Sequence, residues 1–238
     1  MPVSTLATCG YATLGALAAT GAPRLVRHYT APSGTRPGDS PVPPPDQPTP
    51  PGPARRRAAN TWAYPLVTAV AFTALAWRTP TSHRGQELQL AAWLVMAAAG
   101  TAMAGIDITV HRLPPALTAA TATIVAALIT AAAASSHQPG LLARATLSAA
   151  GYALTYLILA LTGPGLVGAG DVHLAGLLGL LLGTGPATGI ALGVLAPYLI
   201  AAPILTVRLA LGRIQRGSHT AWGPYLIAGA ITARLLTA

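Results

Sequence analysis

The chain has 238 residues, 53% of them hydrophobic and only 8% charged, with a formal net charge of +9. That charged share is about a third of what soluble domains carry, which points to lipid. The cations are all arginines scattered between apolar runs, with one cluster at Arg55, Arg56 and Arg57, so the positive balance reads as membrane topology and excludes a nucleic-acid footprint.

A helix crossing a bilayer core takes about 20 mostly apolar residues. Windows of that kind fall near 3–20, 61–78, 88–106, 116–134, 141–162, 172–184, 187–207 and 221–237. The expected fold is therefore an all-α polytopic membrane bundle of about eight transmembrane helices. The first window, 1–20 in the domain division, is rich in Thr, Gly and Ala. The sixth is short, and either tilts or merges with the seventh across "GTGPATG". Between the first two windows, residues 21–60 hold eleven of the 22 prolines, as in "PVPPPDQPTPPGPARRR". Such a segment buries too little apolar surface to offset its ordering entropy and reads as a disordered cytoplasmic linker. Residues 61–238 then form a seven-helix membrane domain. Cys9 is the only cysteine, so neither a disulfide framework nor a cysteine zinc site is expected within the chain.

With the amino terminus outside, ten of the fourteen arginines fall in cytoplasmic segments, as the positive-inside bias requires. Arg78, Arg84, Arg144 and Arg234 are left on or near the outer side. The five acids are Asp39, Asp46, Glu87, Asp107 and Asp171. Asp107 closes the third window in "AGIDITVHRLPPALT", and Asp171 opens the sixth in "GLVGAGDVHLAGLL". Two complete crossings lie between them. An even number of crossings returns the chain to one side, so both carboxylates are expected at cytoplasmic helix ends, where they can meet.

A carboxylate beside hydrocarbon is costly and reads by default as functional, with a named partner. Two carboxylates in one site do not both ionise easily, so one keeps a proton while the other takes one from a water between them. The ionised member activates water as general base, and the protonated one polarises a carbonyl and donates to a leaving amine. Gly168 and Gly170 free the backbone and admit a close neighbour. Pro114 and Pro115 fix the chain after Asp107, and Arg112 meets lipid phosphate or steadies the loop. Plainer roles stay open: Asp171 as a helix N-cap and Asp107 as an interfacial helix end.

At these residues the chain resembles the type IV prepilin peptidases, the bacterial branch of the GxGD aspartyl intramembrane proteases. "GAGD" at 168–171 is similar to the family's second aspartate motif, and Asp107 followed by "RLPPALT" to its first. "HTAWGPYLIAGAI" at 219–231 is similar to the Gly-Pro opening of the last helix. The resemblance implies that Asp107 and Asp171 are the catalytic pair, with Gly168, Gly170, Arg112, Pro114, Gly223 and Pro224 as motif or structural residues. It implies a multi-pass plasma-membrane protein that cuts the leader from prepilins or pseudopilins at the cytoplasmic face. Many members carry a cysteine-zinc cytosolic domain and methylate the new amino terminus. This chain has the proline-rich linker there, so no methyl-donor cofactor and no metal are expected. His173 stands where the family often has Lys and reads as interfacial; His111 reads as a loop histidine. Two other readings remain: a broader intramembrane protease, and an inactive assembly scaffold or transporter-like bundle. Transport would favour acids near the bilayer midplane.

Overall fold

A computed structural model describes residues 13–22, 24–26, 63–79, 81–110, 113–162, 167–212 and 221–238. Among these, every regular element is helical. We number seven helices from residue 63 onward: α1 (Ala63–Arg78), α2 (Arg84–Val110), α3 (Pro115–Ser135), α4 (Pro139–Thr162), α5 (Ala169–Leu182), α6 (Ala187–Ala210) and α7 (Gly223–Thr237). Each corresponds to one of the seven windows expected between 61 and 238. The expected linker and most of the first window lie outside the described residues. What is described of that window is a helical stretch at 13–18 that runs into a 3-10 turn, Ala19–Gly21.

Among the described residues, four helices are long and apolar enough to cross a membrane on their own: Arg84–Thr109, Pro115–Ser135, Pro139–Thr162 and Ala187–Ala210; the expected eight spans are not all confirmed. The physical reason is clearest at α5. Its 14 residues rise only about 21 Å, against a hydrocarbon thickness near 30 Å. It is nonetheless apolar nearly all round, and Leu174, Leu177, Leu178, Leu181 and Leu182 are all buried. A helix with that pattern belongs inside a bundle, enclosed by its neighbours. Here α4 packs along it most closely, with α3 and α7 completing the enclosure. The sixth and seventh windows do not merge, because the turn from Gly183 to Pro186 separates α5 from α6.

Other large apolar side chains point the opposite way. Leu147, Leu161, Leu199, Leu66 and Trp77 are each about two-thirds or more exposed. A water-facing surface of that kind would aggregate, whereas a lipid-facing one is at ease. With the four long apolar helices, this makes the chain a membrane protein.

Close helix approach is supplied by small residues, since apolar side chains gain nothing by leaving lipid for each other. A Cβ placed on Gly179 would lie 2.6 Å from the Tyr152 side chain and 2.7 Å from the Ser148 carbonyl; one on Gly183 would lie 2.7 Å from Ala145 Cα. Gly229 meets the Pro197 ring in the same way, holding α7 against α6. Replacing Gly179 with Val should therefore force α4 and α5 apart. The expected loss is about 1–3 kcal/mol, typical of overpacking, read as a lower melting midpoint in detergent. Gly151→Val, at a position with nothing nearby, should leave the midpoint unchanged. Equal midpoints for the two variants would contradict this packing.

Candidate active site

Asp107 lies in the last turn of α2 and is only 5% exposed. Its position follows from helix length. The helix begins at Arg84, ahead of the apolar window, and continues through Val110, so the aspartate stays helical and faces inward. Its Oδ2 accepts a hydrogen bond of 2.9 Å from the backbone N–H of Gly223. That donor is one of the N–H groups which the start of any helix leaves without an intrahelical acceptor. Trp222 is the N-cap of α7, and Pro224 follows Gly223 within the first turn, where a missing N–H costs nothing. The positive end of the α7 dipole thus faces the carboxylate. Glycine is required by space: a Cβ at Gly223 would fall 2.8 Å from Asp107 Oδ2.

Asp171 sits at the third position of α5 and is 9% exposed. It is not the N-cap. Gly168 holds that place, and Asp171 Oδ2 accepts the Gly168 N–H at 3.1 Å. The aspartate therefore closes back on its own "GAGD" motif, which fixes the carboxylate at the mouth of a buried helix. Gly170 serves packing between motifs. A Cβ there would lie 3.0 Å from Cβ of Leu113, a buried residue of "RLPPALT". Pro114, buried and extended at φ −68° and ψ 117°, caps α3. It turns the chain immediately after Leu113 has been set against Gly170.

The two aspartates come close enough for the charge of Asp107 to act on Asp171. Such a pair, with each member held by a backbone donor, is equipped for general acid–base chemistry. Arg112 and His111 lie outside the described residues. His173 is exposed, with Nδ1 paired 2.8 Å from the carbonyl of Ala169 in its own helix. Among the described residues no three His, Cys, Asp or Glu side chains gather as metal ligands.

Sequence reasoning missed an aromatic wall beside the acids. Buried Tyr156 on α4 lies within reach of the Asp171 charge and stacks on Tyr152 at 5.6 Å between centroids. Tyr198 packs on Trp222 at 5.6 Å, and Trp222 on Tyr225 at 6.1 Å. The one-turn spacing of Tyr152 and Tyr156 was a visible signal; the partners from α6 and α7 were not.

The family model described as "Type IV leader peptidase family" matches residues 93–212, about half of the chain. Both aspartates lie within the match, while Gly223 and Pro224 lie beyond it. No curated protein and no solved structure matches the chain.

The contact between the motifs is directly testable. With Cys9 replaced by Ser, Leu113→Cys combined with Gly170→Cys should cross-link under mild oxidation, since the two Cβ atoms would lie 3.0 Å apart and need part only by about half an ångström to reach disulfide spacing. Persistent free thiols in membranes where other cysteine pairs oxidise would show that the motifs do not touch.

Proposed function

We propose that this chain, which belongs to the type IV leader peptidase family, removes the leader peptide of type IV pilin-like precursors by aspartyl hydrolysis. Asp107 and Asp171 are the catalytic pair in this reading. The observation that carries it is their convergence from helices 64 positions apart in sequence, each inside the region matched to a peptidase family.

A water between the carboxylates loses its proton to the ionised member and attacks the scissile carbonyl, whose oxygen takes a hydrogen bond from the protonated member. The same acid then passes its proton to the leaving amine. Protonation belongs to the pair, so the active form carries one proton between them. The Gly223 N–H and the Gly168 N–H hold one oxygen of each carboxylate. Holding reacting groups in place in this way removes orientational cost from the chemical step.

The arginine distribution supports a multi-pass plasma-membrane location with the site at the cytoplasmic face. Arg213 and Arg216 stand in the sequence shortly before α7, and the start of α7 meets Asp107 through the Gly223 N–H. In the same reading residues 1–20 are a first membrane helix, 21–60 a linker, and 61–238 the peptidase domain. The partners are a prepilin or pseudopilin and the lipid bilayer. With a single cysteine and no zinc-binding cytosolic domain in the sequence, the reading is cleavage without methylation of the new amino terminus.

Asp107→Asn and Asp171→Asn should each abolish cleavage of a pilin-like precursor in proteoliposomes while the protein remains membrane-inserted. Full cleavage by both variants would overturn the assignment. Gly223→Ala should lower turnover by about 10- to 100-fold, the worth of a hydrogen bond to a charged group, with little change in membrane insertion. A panel of membrane proteins without pilin-type leaders should stay uncut; cutting across the panel would mark a broader protease.

A further inference from the structure

The end of the bundle opposite the aspartates is built differently. There the starts of α2 and α4 meet the ends of α1, α5 and α7 around a polar cavity of about 400 Å³. Thr79, Gln86, Gln89, Thr184, Arg144 and Arg234 line it. A second cavity of about 440 Å³ continues from it, sharing Gln86, Gln89, Arg144 and Thr184. Among the described residues no acidic side chain lines either cavity.

Arg234 is the telling residue. Its Nε is buried and has no hydrogen-bond partner. Its Nη2 reaches only Thr79 Oγ1, at a long 3.4 Å. A buried guanidinium N–H with no acceptor is costly unless an anion meets it. Alongside, Arg78 Nε donates to the Leu235 carbonyl at 2.9 Å, which ties α1 to the last turns of α7 and steadies that wall. Three of the four arginines that the positive-inside bias leaves unexplained, Arg78, Arg144 and Arg234, are therefore at or beside one hollow.

We infer that this cavity is a binding site for a phosphate-bearing anion, with Arg144 and Arg234 as its two cationic ligands. Guanidinium groups match phosphate oxygens in geometry and bond them through paired N–H donors. The cavity lies at the ends of membrane helices, the depth at which phospholipid headgroups sit. A phospholipid phosphodiester and free phosphate share this chemistry.

The test uses the full chain purified in detergent and followed by native mass spectrometry. Dioleoylphosphatidylglycerol should bind at least about tenfold more tightly than dioleoylglycerol, which has the same tails without phosphate, the factor expected for a charge-assisted contact. Arg144→Gln, at an exposed position, should remove most of that preference without unfolding the protein. Arg234→Gln should do the same, and Arg234→Lys should restore part of it. Inorganic phosphate that displaces the lipid would identify the phosphate group alone as the ligand. Failure to displace it, with lipid preference intact, would identify the lipid as the source. Equal binding of the two lipids, or an undiminished preference in both Gln variants, would overturn the site.

Discussion

One hydrogen bond joins the two halves of the architecture: the Gly223 N–H at the start of α7 donates to the Asp107 carboxylate at the end of α2. It spans 116 positions of sequence and is buried, so neither partner could give it up cheaply. A buried carboxylate needs a donor, and a helix start needs an acceptor. Each solves the other's problem. The geometry leaves no room for a side chain at Gly223, so the choice of residue, the capping of α7 and the inward turn of Asp107 are consequences of one contact.

Asp171 is solved by different means. Its helix is short and sealed by leucines, and the aspartate satisfies the donor of its own N-cap. The ordinary role of a helix-start acid and a catalytic role are thus not rivals here. The local bond aims one oxygen back at Gly168 and so sets where the other one points. Leu113 against Gly170 then ties the loop after Asp107 to the turn before Asp171. The two motifs are held as one unit by packing, against the repulsion of two like-charged groups.

Much of this was legible in the chain itself. Apolar windows located all seven helices from residue 61 onward, because a membrane core rewards long apolar runs regardless of partner. Their ends were less accurate. The start of α2 came four residues early, since Arg84, Gln86 and Glu87 are good helix formers that continue the helix outside the apolar layer. Four of the expected spans stand on length and hydropathy among the described residues, and the sequence pattern did not reveal that the short α5 is enclosed by other helices. The aspartates, Gly168, Gly170 and Pro114 were singled out from motif and parity, and the fold brings the two motifs into contact through Leu113 and Gly170. Gly223 and Pro224 were marked only as structural: that the Gly223 N–H serves Asp107 depends on a fold-level contact no local pattern encodes. The aromatic wall of Tyr156, Tyr198 and Trp222 was hidden for the same reason.

The shortness of α5 has an electrical meaning. Between the aspartates at one end of the bundle and the arginine-lined hollow at the other, the insulating layer is only one fourteen-residue helix deep, about 21 Å by helical rise. Groups of opposite charge, carboxylates at one end and guanidiniums at the other, are thus set apart by less than the roughly 30 Å of a hydrocarbon slab.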